Sequence, residues 1–329
     1  MERRSRRGKK KILILCLMIL IVVLGAFVVW KVFFTEQESE WDDSLSQSDL
    51  GQITYEGRKY IYNSNLTNIL FLGIDNEEGL KDDNMPSEAG QSDCIMVLTL
   101  DKEKKEARIL QIPRDTMTEV DLYDASGNYS TMVTEQIATQ YAYSIGGKSS
   151  CFATKKTVSE LLYDLPIDGY LAMEYSSIAI VNDAVGGVEI TVPEDYTMID
   201  PAFEKGATLK LTGKQAHAYV RWRDTNASFS NYDRMDRQVQ YIPALIDTIQ
   251  NHVGEDGNYY KTLYPLVEKH MITDLSEDEI NALAEYELIT SDVQYLPGEG
   301  KKGKEYEEFY VDEKKLQKML IETFYILEE

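Results

Sequence analysis

Two nearly unbroken apolar runs constrain this chain more than any other feature. NILFLGID (Asn68 to Asp75) and DCIMVLTL (Asp93 to Leu100) show no polar face along their length. Runs this short and this apolar suit strands covered on both sides, so a sheet must lie between two packed layers. KEARILQIPRD (Lys105 to Asp115) follows across the charged turn DKEKK and predicts a hairpin with the second run. Helical patterns come next over Val133 to Ile145, Thr154 to Tyr163 and Ser176 to Val185, the last closed by Gly186 and Gly187 as a C-cap. A strand GVEITVP (Gly187 to Pro193) precedes helices over Thr212 to Val220, Tyr232 to Val253, Asn258 to His270 and Ser276 to Leu288. Strands over Val293 to Pro297 and Glu307 to Val311 and a helix over Glu313 to Leu327 complete the pattern. With 43% of 329 residues hydrophobic, one sizeable core is within reach. The expected fold class is α/β, a central mixed sheet flanked by helices, preceded by one N-terminal transmembrane helix.

That last expectation rests on the first thirty residues. MERRSRRGKKK carries seven Lys or Arg and one Glu, and an uncharged run of 19 residues, Ile12 to Trp30, follows at once. As a helix the run is about 28 Å long, close to a hydrocarbon core of about 30 Å. The basic cluster before it and TEQESEWDDS after it predict a cytoplasmic N-terminus and an exported body. A cleaved signal peptide fits less well, because the run is long for one and Phe27 to Trp30 offers no small-residue cleavage site. The expected organisation is a cytoplasmic tail over residues 1–11, a transmembrane helix over 12–30, an extracellular stalk over 31–65 and an extracellular folded domain over 66–329. The stalk ends in one or two edge strands within Ile53 to Tyr62.

Charge and motif absences narrow the function. The net charge is −22, and removing the +6 of residues 1–11 leaves about −28 on everything beyond. So acidic a body excludes nucleic acid as a partner and repels polyanions at long range. Any phosphate site must be a local cationic pocket or hold a divalent metal. Histidines 217, 252 and 270 lack a flanking nucleophile motif, and there is neither a GxGxxG nor a complete Walker loop. Cys94 and Cys151 allow a disulfide in an exported domain, but Cys94 lies inside a strand-like run where a buried free thiol fits equally well.

The remaining chemistry sits at strand and helix ends. Asp75 closes the first apolar run and Asp93 opens the second, so antiparallel neighbours bring both carboxylates to one sheet edge as polar rim positions. Two such carboxylates suit Mg²⁺, although ordinary turn aspartates would look the same. Arg114 ends the third strand beside Asp115. In YVRWRDTNASFSNYDRMDRQ (Tyr219 to Gln238), Arg221 and Arg223 lie two apart. If the chain is extended there, both point one way and Trp222 points into the core. Arg234 and Gln238 are four apart on one helix face, with Asn231 near its N-terminus. Convergence on one anion and a salt-bridge network with Asp224, Asp233 and Asp236 are both open readings of this segment.

Taken together, NILFLGID, SDCIMVLTL, ILQIPRDT, VNDAVGGVEITVP, LTGKQAHAYVRWRD and DRMDRQ, in this order over about residues 68–250, resemble the LytR-CpsA-Psr family of bacterial cell-envelope proteins. The resemblance implies an α/β fold with a hydrophobic tunnel for a polyprenyl chain. It also implies transfer of a phosphoglycopolymer, of wall teichoic acid or capsular polysaccharide type, from a polyprenyl-pyrophosphate carrier to peptidoglycan. By motif match, Asp75 and Asp93 would be ligands of Mg²⁺ (or Mn²⁺), with Asp93 a candidate base. Arg114, Arg221, Arg223, Arg234 and Gln238 would hold the pyrophosphate, and Asp93 and Arg114 would be catalytic. The implied location is the cell membrane of a Gram-positive-type bacterium, single-pass, with the membrane, lipid-linked polymer and peptidoglycan as partners.

This chain departs from the family pattern in four places, one of them the loop EEGLKDDNMPSEAG between the two aspartates, longer and more acidic than usual. Glu77 and Gln91 stand where arginines are usual, and the lysine expected before the GG of the helical region has only Gln136 or Gln140 as a counterpart. Two alternatives to transfer therefore stay open: a non-catalytic polyprenyl-phosphate-binding or regulatory envelope protein, of the transcriptional-attenuator type, and a hydrolase that releases polymer to water.

Overall fold

The computed structural model describes residues 52–76, 80, 86, 88–224, 226–257, 259–290 and 293–328. The expected transmembrane helix, the cytoplasmic tail, most of the stalk and Glu77 lie outside the described residues. Among the described residues no helix is long and apolar enough to cross a membrane. The chain divides into two units at Asn63/Ser64, with the residues from Tyr325 onward belonging to the first.

In the first unit, β1 (Gln52–Tyr55) and β2 (Arg58–Tyr62) form a hairpin that pairs on its other edge with the last strand, Tyr325–Leu327. Glu56 and Gly57, both at positive φ, make its two-residue turn, the geometry that matches the twist of the flanking strands.

The second unit is built on β3 (Leu66–Ile74), β4 (Ser92–Asp101) and β5 (Glu106–Ile112), followed by β6 (Met117–Tyr123), β7 (Tyr129–Gln136) and β8 (Gly169–Glu174). Shorter strands follow: β9 (Glu189–Thr191), β10 (Thr208–Lys210), β11 (Met271–Thr273), β12 (Glu287–Leu288), β13 (Gln294–Tyr295), β14 (Gly298–Lys302) and β15 (Glu307–Val311); Tyr325–Leu327 is β16. The main sheet runs β11-β8-β3-β4-β5-β12, with β13 also on β5. β3 and β8 are parallel, β3-β4 and β4-β5 antiparallel, so the sheet is mixed. β3 and β4 are buried almost throughout, as their unbroken apolar sequences require. The DKEKK turn is closed by Asp101, whose Oδ1 accepts from the amides of Glu103 and Lys104.

The helices are α1 (Gly147–Leu161), α2 (Ser176–Ala184), α3 (Gly213–Arg221), α4 (Ser230–Glu255), α5 (Tyr260–Val267), α6 (Glu277–Ala282) and α7 (Glu313–Phe324). α3 starts on a reciprocal capping box, Thr212 with Gln215, which satisfies two amides that no helical carbonyl reaches. Between α4 and one face of the sheet lies a cavity of about 600 Å³. Alternate residues of β3 and β4 (Ile69, Phe71, Met96, Leu98) face it, and Ile242, Leu245, Ile246 and Ile249 of α4 close it.

Four sequence expectations are corrected. Residues 133–145 are not a helix: YSTMVTEQ pairs with β6 as an exposed two-stranded ribbon, and only one helical turn, Thr139–Ala142, follows. Cross-strand pairing of Thr131, Val133 and Thr134 there overrides the weak helical period. α1 begins seven residues before Thr154, because Gly146 and Gly147, both at positive φ, start the helix rather than belong to a loop. The helix expected over Ser276 to Leu288 breaks into α6, a 3₁₀ turn and β12, and α7 stops at Phe324, where the chain turns extended. Cys94 and Cys151 are both buried and are not joined in a disulfide.

Candidate active site

The site forms where β3 and β4 end. Their register runs regularly to Gly73 opposite Cys94 and then jumps to Ile74 opposite Ser92, so Asp93 is the extra residue of a β-bulge. In a regular strand Asp93 and Cys94 would face opposite sides. The bulge turns Asp93 towards α4, while its neighbour Cys94 still lines the cavity beneath that helix. Gly73 makes the bulge possible: a Cβ there would sit 2.9 Å from the Cys94 Cβ and 3.6 Å from the Tyr175 ring.

Asp93 is 6% exposed, a buried residue rather than the rim position its place at a strand start suggests. Its two carboxylate oxygens accept from two guanidiniums, Oδ1 from Arg114 Nη1 and Oδ2 from Arg234 Nη1 at 2.6 Å. Burial alone would push this carboxyl up; the charges of Arg234 and Arg114, with Arg223 farther off, outweigh it and hold Asp93 below the ordinary carboxylate range.

Both arginines are anchored from a second side. Arg114 Nη2 donates to Gln91 Oε1 at 2.5 Å, so the amide that stands in the place of a family arginine is a partner of Arg114. Arg234 Nη2 donates to Asn231 Oδ1 at 2.7 Å, and Asn231 in turn donates to Asp115 Oδ2 at 3.0 Å. Gln136 donates to Asp115 Oδ1 at 2.9 Å, whereas Gln140 is spent on the backbone of Asp121. Burial, only partly offset by the arginines, raises the Asp115 carboxyl.

The hairpin of β14 and β15 braces this corner. Phe309 N–H donates to the Asp115 carbonyl at 2.8 Å, Gln136 donates to the Glu307 carbonyl at 2.7 Å, and the Glu307 carboxylate accepts from Phe229 N–H. Phe229 holds a left-handed conformation at φ 60° ahead of α4, so this contact fixes where the helix starts.

Of the other residues read from the sequence, Arg221 closes α3 and pairs with Asp75 at 3.1 Å, both ends part-exposed. The chain then turns extended at Trp222, and the Arg223 charge acts on both Asp93 and Asp115. Arg221 and Arg223 thus both meet acids of the site. Trp222 is half-buried rather than core, stacked 5.9 Å from the Arg237 guanidinium. Arg221 and Arg234 form ion pairs with Asp75 and Asp93, acids from outside this segment. Gln238 Nε2 donates to the Val220 carbonyl at 3.2 Å and to Tyr175 OH at 3.3 Å.

Sequence reasoning passed over Arg237 and Tyr175. Arg237 is 1% exposed and donates to the carbonyls of Tyr219 and Trp222, clamping the end of α3 on which Arg221 sits. Its partners are backbone atoms, which leave no trace in a sequence pattern. Tyr175 follows β8 and lines the cavity next to Gly73 and Cys94.

A buried carboxylate carrying two guanidiniums thus adjoins Cys94, a residue of the apolar cavity's wall. A model of the LytR_cpsA_psr family matches residues 31–324. The chain belongs to the LytR_cpsA_psr family. Among curated family relatives, the polyisoprenyl-teichoic acid--peptidoglycan teichoic acid transferase TagV of Bacillus subtilis (strain 168) is 31% identical over 258 residues, 75% of this chain and 59% of that protein. The polyisoprenyl-teichoic acid--peptidoglycan teichoic acid transferase TagU of Bacillus cereus (strain AH820) is 28% identical over 305 residues, 89% of this chain and 90% of that protein. The crystal structure of B. subtilis TagV superposes with a TM-score of 0.56 at 27% identity, covering 79% of this chain and 97% of that one.

Proposed function

We propose that this chain transfers a phosphorylated glycopolymer, of teichoic acid or capsular polysaccharide type, from a polyprenyl-pyrophosphate lipid to peptidoglycan outside the membrane. Residues 12–30 would anchor it. One observation carries the reading: the arginine cluster on Asp93 and the 600 Å³ apolar cavity share a wall of Gly73, Cys94, Tyr175 and Gln238. A charged head group and a long apolar tail therefore find complementary surfaces side by side. The relatives TagV and TagU are named for transfer of this kind.

In this reading Arg114, Arg221, Arg223 and Arg234 neutralise the pyrophosphate and align it for in-line displacement. A hydroxyl oxygen of the acceptor glycan attacks the sugar-side phosphorus, and the bond to the bridging oxygen breaks. Polyprenyl phosphate leaves with the electron pair, and the hydroxyl proton passes to a base. Asp93 is a weak base while two guanidiniums hold it. An entering pyrophosphate competes for Arg114 and Arg234, and as they turn to phosphate oxygens Asp93 becomes more basic. Asp75 and Asp93 are hard oxygen donors, each with lone pairs beyond those its arginines use, and suit Mg²⁺ (or Mn²⁺) completed by substrate phosphates. Bound there, the ion would supply further neutralisation of phosphate charge.

The test is purified full-length protein in detergent with lipid-linked polymer, peptidoglycan oligomers and Mg²⁺. A covalent polymer–peptidoglycan conjugate, lost on chelation, is the expected product. Free polymer without conjugate would make the protein a hydrolase, and unchanged substrate would leave only lipid binding.

A further inference from the structure

Tyr175 stands at the neck between the arginine cluster and the apolar cavity. It is 4% exposed, its amide donates to the carbonyl of Ile74, the residue before Asp75, and its ring contacts the Gly73 position opposite Cys94. Its phenol lies within the field of Asp93, Arg234, Cys94 and Asp75. The cavity as a whole is lined mostly by hydrocarbon, so a polar group at its neck calls for an explanation.

The direction of its one recorded hydrogen bond supplies that explanation. Gln238 Nε2 also donates to the Val220 carbonyl, which can only accept, so the amide orientation is fixed and the nitrogen faces Tyr175. The phenol oxygen therefore receives a hydrogen bond and keeps its own proton to give, with no acceptor recorded for it among the described residues. The same amide leaves Gln238 Oε1 buried and without a partner among the described residues, a second polar atom at the neck left open. Burial pushes the phenol well above its ordinary pKa, so the proton is retained across the physiological range.

Resting on the function proposed above, we propose that Tyr175 is a specificity residue: its hydroxyl donates to the phosphate borne by the lipid where the isoprenoid chain enters the cavity. It makes the cavity select phosphorylated polyprenols over free polyprenols. During transfer the same contact steadies the departing polyprenyl phosphate, on which charge accumulates as the bridging P–O bond breaks. The arginines grip the head group as a whole. Tyr175 reads the junction of head group and tail.

Tyr175→Phe keeps the ring and its contact with Gly73 and removes the hydroxyl, both the free donor and the acceptor of the Gln238 hydrogen bond, while Gln238 Nε2 keeps the Val220 carbonyl. In full-length protein, binding of polyprenyl phosphate and of the matching polyprenol is measured for wild type and variant, with melting temperature as a control. The variant is expected to bind polyprenyl phosphate roughly 10-fold or more weakly, the range for a lost hydrogen bond to a charged group, with polyprenol affinity unchanged. Its transfer rate should fall with the same preference. Equal weakening for both lipids would make Tyr175 a packing residue, and no weakening for either would leave the hydroxyl without a ligand; both results overturn the assignment. A wild type that binds polyprenyl phosphate selectively through Tyr175 but forms no conjugate would refute transfer and leave this assignment standing.

Discussion

Asp75 and Asp93 end adjacent strands and read alike in the sequence, yet replacing each by Ala should have very different consequences for stability. Asp93 is 6% exposed and its partners Arg114 and Arg234 are 13% and 4% exposed. Truncating it leaves two guanidiniums without their anion in a poorly solvated place. Breaking a buried pair in this way costs about 3 to 5 kcal/mol. Asp75 and Arg221 are 43% and 35% exposed, a pair of the kind that contributes about 0 to 1 kcal/mol. For a unit of this size, that predicts a melting temperature roughly 10 °C lower for Asp93→Ala and at most about 3 °C lower for Asp75→Ala. The Asp93 contribution also has a pH signature. Its folded pKa lies below its ordinary value of 3.8, so the stabilisation is fully present above that value and is lost as pH falls below it through the folded pKa. The gap between wild type and Asp93→Ala should therefore be constant from pH 5 to 7 on the acid side of neutrality and narrow on further acidification below about pH 4. Thermal unfolding of both variants across this range is the assay. Equal losses at pH 7, or a gap that widens in acid, would refute the two-guanidinium account of the site.

Replacing Arg221 or Arg223 by Lys keeps the charge and removes the guanidinium fork; conjugate formation should fall by about 10² while melting temperature changes little. Arg237→Met should instead lower stability by about 3 kcal/mol, measured by urea unfolding, because the carbonyls of Tyr219 and Trp222 lose their donor, and transfer should fall with it as the end of α3 loosens. Burial pushes the Cys94 thiol up to about 12, so a maleimide should label it only after denaturation; labelling of the folded protein at pH 7 would contradict the packing described here.

The parts of the fold legible in the sequence were those whose pattern has a single physical reading. The unbroken apolar strands could only be central, and Gly186 and Thr212 mark a helix end and a helix start by local chemistry alone. β7 was hidden because its eight residues are mostly exposed and its identity depends on β6, which supplies the hydrogen-bond partners. The approach of Arg114, Arg234 and Asp93 was foreseen only as a set of candidates. The bulge that turns Asp93 towards α4 cannot be seen in DCIMVLTL, since period-two alternation puts Asp93 and Cys94 on opposite faces. Trp222 was misplaced for a related reason: Arg221 still belongs to α3, the chain turns extended only at Trp222, and the ring lies against the Arg237 guanidinium, which the Tyr219 carbonyl, eighteen residues away, helps to position.

α4 carries both kinds of surface on one rod. Asn231, Arg234 and Gln238 occupy its first turns and Ile242, Leu245, Ile246 and Ile249 the following ones, with Arg234 and Ile249 about 22 Å apart along the axis. A single inserted or deleted residue between Gln238 and Ile242 would rotate one set by about 100° relative to the other. The polar end and the apolar end therefore share a rotational phase, which a substitution preserves and a change of length does not. Changes of length are free only at its ends, so a longer or shorter occupant of the cavity must be accommodated at the far wall, around Leu283 and Tyr286, and not by the helix that aligns the reacting groups.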